Sequence, residues 1–183
     1  VINFITDLQM KALRRMDHVF SMSKAMTSWL DSEGIIVHKI SLARSCVDVR
    51  EINSYAGHYK IENNSVINIG LFCLFVQRKR VDVALTAIHK IVYELQNRNI
   101  KLHIAGAGPL KKKMEKLSDE LELSSYVDFK GHLTDPIPLM REMDIVLLTS
   151  ESEGLPRCLM EALSLGKTVV TSDFPGVDEL ILD

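Results

Sequence analysis

The chain has 183 residues, with 22 Lys and Arg against 24 Asp and Glu and a formal net charge of -2. Hydrophobic residues make up 46% and charged residues 25%, the balance of a globular protein rather than a disordered one. Near-neutral charge removes any general electrostatic case for nucleic acid or an anionic membrane surface, and no apolar run approaches the ~20 residues of a spanning helix.

Phe4 to Met16 reads as a helix, with Ile5, Leu8, Ala12 and Leu13 at three- and four-residue intervals. Asp17 to Ser23 reads as a short buried strand, and Ser23 is placed to cap a helix over Lys24 to Ser32 that Gly34 ends. His38 to Ala43 is another strand. Residues 48 to 64 are polar, contain Gly57 and Asn63-Asn64, and read as a linker with a domain boundary near residue 58. Ser65 to Leu71 is the first strand of the next domain, followed by the cationic loop Gln77-Arg-Lys-Arg80. Val81 to Asn97 carries the stripe Val81, Leu85, Ile88, Val92 and Leu95 of an amphipathic helix. Lys101 to Ala105 is a strand running into Gly106-Ala-Gly108-Pro. Leu110 to Leu121 is a helix, with Lys111, Lys112, Lys113 and Lys116 mostly outward. Val127 to Phe129 is a strand, and Pro138 to Met143 a short helix. Ile145 to Thr149, the loop to Pro156, Arg157 to Leu165, Gly166 and Thr168 to Thr171 form strand, loop, helix, turn and strand, the sequence form of a βαβ crossover. A helix starts at Val177. Alternating strands and helices predict an α/β fold, a parallel sheet covered on both faces.

The first ten residues lack the basic region and uninterrupted apolar stretch of a secretory signal. Cys46, Cys73 and Cys158 are odd in number and far apart, which fits a reducing compartment better than a disulfide framework. The six histidines form no i,i+4 pair and no Asp-x-Asp occurs, so ligand spacing gives no metal site. A start at Val1 and an end at Asp183, just as a helix begins, read as cuts in a longer protein.

Four places carry candidate chemistry. Gly106-Ala-Gly108 follows a strand and opens a helix, as a dinucleotide loop does, but the third glycine position holds Lys111. Contact with a phosphate and a tight turn that needs small residues are both open there. At Gly154-Leu-Pro156 the proline suits a first helical turn, so the amides of Leu155, Arg157 and Cys158 can face an anion such as a diphosphate. Glu153 sits on the loop at the strand's carboxyl end, where open α/β sheets bind ligands, and Glu161 sits one turn into the helix. A carboxylate at these places can accept hydrogen bonds from sugar or ribose hydroxyls; a lone glutamate in a helix is otherwise a solvated group. Arg78-Lys79-Arg80 can neutralise a substrate phosphate or be a solvated turn.

Together these pieces resemble the retaining "group 1" glycosyltransferases of GT-B fold. Ile67-Asn-Ile-Gly70 with Lys79-Arg-Val-Asp82 is similar to the family's Gly-Arg...Lys-Gly-Val-Asp segment. Leu102 to Pro109 resembles its Gly-x-Gly loop, and Val127-Asp-Phe-Lys-Gly-His132 its Val-x-Phe-x-Gly strand. Glu153-Gly-Leu-Pro-x4-Glu161 is similar to its Glu-x7-Glu signature, and Gly176-Val-Asp-Glu179 to its later Gly-x-x-Glu. The resemblance implies that residues 58–183 are a Rossmann-like nucleotide-sugar-binding domain, the C-terminal half of a GT-B fold. Residues 1–57 would then be the tail of the acceptor domain and its linker. It implies a nucleotide-diphosphate-sugar donor, a glycan or lipid-linked acceptor, no metal, no cofactor and no nucleic acid. The setting would be the cytoplasm, at the inner face of the membrane if the basic helix face meets lipid.

By the same resemblance Glu161 holds the ribose, Glu153 contacts the donor sugar, and Lys79 meets the diphosphate. The backbones of Gly154 and Leu155 approach sugar and phosphate, with Gly70, Arg78, Gly106, Gly108, His132 and Arg157 also on the donor. One departure stands out: Leu71 follows Gly70 where the family has Arg, leaving Arg78 or Arg80 as substitutes. The rivals are a nucleotide-sugar epimerase of related fold, for which no acid/base pair is visible, and a non-catalytic member that has lost donor binding.

Overall fold

A computed structural model describes residues 2–54 and 66–181, with side chains described from residue 8 onward. The chain divides into two compact units. The first comprises Val1–Cys46, Glu153–Pro156 and Phe174–Asp183. In it, α1 (Ile2–Arg15) and α2 (Lys24–Ser32) accompany a two-stranded parallel sheet, β1 (Val19–Ser21) and β2 (Ile40–Leu42), with Val19 opposite Ile40. Met10, Val19, Leu30 and Ile35 form its small core. Ser23 caps α2 as expected, its Oγ accepting the Met26 amide at 3.1 Å. Phe20, Trp29, Ile36 and Val37 are exposed.

The second unit comprises Val47–Ser152 and Arg157–Asp173. Its sheet holds β3 (Ile67–Phe72), β4 (Ile100–Ala105), β5 (Val127–Gly131), β6 (Ile145–Leu148) and β7 (Thr168–Thr171). All pairings are parallel, in the order β5-β4-β3-β6-β7. Both faces are covered, as nearly continuous apolar strands require. One layer packs Leu71, Leu102 and Ile104 beneath α4 (Val81–His89) and α5 (Lys111–Glu120). The other packs Phe72, Ala105 and Val146 against α6 (Ile137–Arg141) and α7 (Arg157–Ser164). This is the expected Rossmann-like α/β sheet. Strand order reverses at β3, so the crevice beyond the carboxyl ends of β3 and β6 is the topological switch point.

Three expected elements differ, one of them the helix expected from Val177, which is a single 3-10 turn, Val177–Glu179. The helix expected over Val81 to Asn97 is α-helical only to His89, and Lys90–Glu94 form a wider π-type turn closed by Leu95 N donating to Lys90 O at 2.9 Å. The added residue rotates the stripe, so Val92 is fully buried while Leu95 is 72% exposed. The polar stretch read as a linker contains a further helix, α3 (Val49–Ser54), which lies against α7 and buries Ile52. The described part of that stretch therefore belongs to the second unit from Val47 onward, while the expected boundary near residue 58 falls outside the described residues. On α5, Lys111 is paired with Glu115 and Lys116 with Glu120, which tempers the basic face.

Candidate functional site

At the switch point the loop after β3 is stitched to the loop after β6. Glu151 N donates to Arg78 O at 2.8 Å, Thr149 Oγ1 to Lys79 O at 3.0 Å, and Arg78 Nη1 to Ser152 O at 3.2 Å. Arg80 Nη1 reaches Glu151 Oε1 at 2.6 Å, and its Nε and Nη2 grip both oxygens of Asp82 at 3.0–3.2 Å. Arg78 and Lys79 thus stand at the sheet's ligand edge, whereas Gly70 and Leu71 do not. Gly70 lies inside β3, where a Cβ would sit 2.6 Å from both Met143 Cγ and Phe72 Cε2, so its smallness serves packing. Leu71 is fully buried in the core, so neither residue presents a group to a ligand. The edge begins at Cys73, and the first outward side chain is that of Leu74, 56% exposed and apolar. The cation expected after the strand is absent here too, and Arg80 is occupied by two carboxylates.

The Gly106-Ala-Gly108 loop hugs this segment. Cys73 N donates to Ala105 O and Phe75 N to Ala107 O at 3.0 and 2.9 Å. A Cβ on Gly106 would lie 1.8 Å from Cys73 O, and one on Gly108 would lie 2.7 Å from Phe75 N and O, with φ near +150° at both. Backbone-to-backbone packing accounts for both glycines. His132 is exposed just past β5.

α7 carries Glu161 on its buried side. The residue is only 9% exposed, and its partner is Arg157, one turn earlier, whose Nη2 donates to Oε1 at 3.3 Å. Burial pushes the Glu161 carboxyl up, and Asp135 adds to this, while Arg157 opposes it. The carboxylate lines a cavity of about 280 Å³ shared with Arg157, Asp48, Glu51, Thr134 and Asp135. Asp48 Oδ1 accepts from the amides of Arg50 and Glu51 at 2.9 and 3.2 Å, and Asp135 Oδ1 from Ile137 N at 3.0 Å. Sequence reasoning missed these lining residues. Asp48 followed three residues later by Glu51 has the spacing of a capping box and was the available sign of α3. The cavity holds Arg157 and Glu161 together, and Arg78, Lys79, Gly106, Gly108 and His132 are not in its wall.

Glu153, Gly154 and Leu155 belong to the first unit. Glu153 is half-buried. Gly154 lies against Met22, where a Cβ would be 2.7 Å from Cε. The Leu155 side chain is buried, so only its backbone is available to a ligand. Gly176, with φ +93°, starts the turn Val177–Glu179. The Glu179 carboxylate accepts the Lys24 amide at the start of α2 at 2.5 Å and pairs with Arg44 at 2.9 Å.

Among the described residues no cluster of three or more His, Cys, Asp or Glu is placed to hold a metal ion, and no helix is long and apolar enough to cross a membrane.

The chain is 24% identical over 189 residues to a putative colanic acid biosynthesis glycosyltransferase WcaL of Escherichia coli (strain K12), covering 99% of this chain and 45% of that protein. It is 29% identical over 142 residues to a poly(ribitol-phosphate) alpha-N-acetylglucosaminyltransferase of Staphylococcus aureus (strain COL), covering 74% of this chain and 28% of that protein. The chain thus spans less than half the length of these curated relatives. Among solved structures it matches S. aureus TarM in complex with Fondaparinux, alpha-GlcNAc-glycerol and UDP. The TM-score is 0.81 at 21% identity, over 95% of this chain and 34% of that one. It also matches Anabaena Alr3699/HepE in complex with UDP and glucose, with a TM-score of 0.78 at 19% identity, over 94% of this chain and 48% of that one. At those identities the structural matches establish the fold. Residues 72–183, more than half of the chain, match the family described as "Glycosyl transferases group 1". The chain therefore belongs to the group 1 glycosyl transferases.

Proposed function

We propose that the full-length protein carrying this chain moves a hexosyl group, with retention, from a nucleotide-diphosphate sugar to a glycan or lipid-linked acceptor in polysaccharide or glycoconjugate biosynthesis. The observation that carries this reading is Glu161. A carboxylate folded against the protein and burdened by desolvation gains most from hydroxyl donors, and the vicinal hydroxyls of a ribose supply two. Names of relatives point the same way: WcaL to colanic acid biosynthesis and the S. aureus relative to poly(ribitol-phosphate). TarM and HepE were solved with UDP.

In this reading Lys79 meets the diphosphate, Glu161 the ribose and Glu153 the donor sugar, while the backbones of Gly154 and Leu155 and the first amides of α7 approach sugar and phosphate. Arg78, Gly106, Gly108, Arg157 and His132 are assigned to the rim of the nucleotide. Gly70 is withdrawn from the donor set because it is enclosed within β3. Transfer breaks the bond from the anomeric carbon to the diphosphate oxygen and forms a bond to the acceptor oxygen on the same face. The acceptor proton passes to the departing phosphate. Stabilising that leaving group is the main task, which a lysine and helix amides perform without a protein nucleophile and without a metal. Residues 1–46 are assigned to the acceptor domain, and the protein to the cytoplasm, with the basic part of α5 available to an inner membrane face.

A non-catalytic member is the second reading, favoured by Leu74 standing apolar at the strand edge. Incubating the full-length protein with a panel of nucleotide-diphosphate sugars and a glycan acceptor pool separates the two. Release of nucleoside diphosphate with an acceptor product of the donor's anomeric configuration is expected. An epimerised sugar, an inverted product or no turnover with any donor contradicts the proposal, as does robust transfer by residues 1–183 alone.

A further inference from the structure

The cationic turn contains a residue in a conformation that its type does not favour. Arg80 has φ 46° and ψ 48°, the left-handed region that costs any residue with a Cβ. The family segment quoted above has glycine here, between Lys and Val-Asp, and glycine would adopt the turn freely. The turn's own backbone bonds, Arg80 N to Gln77 O and Val83 N to Arg80 O, are joined by the arginine side chain, which grips Asp82 with two nitrogens and Glu151 with a third. Glu151 is held twice from this turn, through its amide by Arg78 O and through its carboxylate by Arg80. Those two holds bracket Lys79, whose own carbonyl takes the Thr149 hydroxyl.

We propose that Arg80 is a positioning residue: with Glu151 and Asp82 it forms an ionic tie that fixes the turn bearing Lys79 against the loop after β6, and so presents the lysine to the donor's diphosphate. This rests on the donor-binding reading above. Strain held at one backbone position by several contacts from its surroundings is a pattern found at ligand clamps. Arg80 does not replace the missing cation on the phosphate, because its guanidinium is already shared between two carboxylates.

The test compares inorganic pyrophosphate binding, by calorimetry on the full-length protein, for wild type, Arg80→Gly, Glu151→Gln and Lys79→Ala. Arg80→Gly keeps the left-handed turn and is expected to fold with an unchanged melting profile, yet to weaken pyrophosphate binding by about fivefold. Glu151→Gln carries the decisive sign. It removes a negative charge near an anion site, so simple electrostatics predicts tighter binding, whereas the tie predicts binding weakened to a similar degree. In the double variant the two losses should not add. Unchanged binding in Arg80→Gly, or tighter binding in Glu151→Gln, overturns the tie. If wild type binds pyrophosphate no better than Lys79→Ala, the donor reading falls, and the tie with it.

Discussion

Replacing Gly106 with alanine should damage the fold before it touches the ligand. The new Cβ would lie 1.8 Å from the Cys73 carbonyl oxygen and 2.9 Å from its carbon. That is about 1.5 Å short of the closest ordinary C···O approach, and the obstacle is backbone, not a side chain that can swing away. The loops after β3 and β4 must part, which strains the Cys73-to-Ala105, Phe75-to-Ala107 and Gly106-to-Gly131 hydrogen bonds. Losing one or two of these costs about 1 kcal/mol each. Forcing alanine to φ +150° adds about 1–3 kcal/mol. A total of about 2–5 kcal/mol would be a large part of the ~5–15 kcal/mol that holds a domain together. Gly166 is the control, because a Cβ there meets nothing within 4 Å and only its φ of +67° resists, at about 1 kcal/mol. Urea unfolding of the two variants beside wild type reads the difference in midpoint. If Gly106→Ala unfolds no earlier than Gly166→Ala, the packing account is wrong, and phosphate approach becomes the reason for the glycine.

Glu161→Gln should separate stability from binding. The neutral side chain sheds the desolvation that raises the Glu161 pKa and gives up only a pair with the exposed Arg157, so the melting temperature at neutral pH should hold or rise. Because the folded carboxyl binds its proton more tightly than the unfolded one, wild type should gain on the variant as pH falls through the raised value toward about 4.5. A melting temperature that drops at neutral pH would refute the desolvation argument. His103 should have the opposite pH sense. Burial and the nearby Lys130 lower its pKa, against the pull of Asp128. The unfolded chain then takes up the proton first, and wild type should lose stability relative to His103→Gln as pH falls below about 6.5 toward the lowered value. Parallel pH profiles for the two proteins would rule this out.

Strand and helix periodicity carried most of the second unit into view, because β4, β6, β7 and α5 are bounded by Gly, Pro or polar turns that end them sharply. Four features were hidden for identifiable reasons. The π-type turn after His89 leaves the apolar spacing of the sequence intact, and only the Leu95-to-Lys90 bond reveals it. Gly70 is given to the donor by its place in the family motif, within a strand expected to run to Leu71. It serves instead to admit Phe72 and Met143 on the sheet face, so the ligand edge lies further along, at Cys73 and Leu74. For Glu161, position on the helix was legible but burial was not. The neighbours that enclose it come from α3 and the loop before α6, far away in the chain. Arg80 shows the same limit, since a left-handed arginine has no sequence mark beyond standing where relatives of its motif have glycine.

The central claim is that this chain holds the nucleoside diphosphate of the donor through Glu161. Titrating UDP, GDP and ADP into the full-length protein and into its Glu161→Ala variant tests it most directly. Two charge-assisted hydrogen bonds at about 1.5–3 kcal/mol each should be lost, so one nucleotide should bind wild type at least about a hundredfold more tightly than the variant. Equal affinity for that nucleotide in the two proteins would contradict the claim.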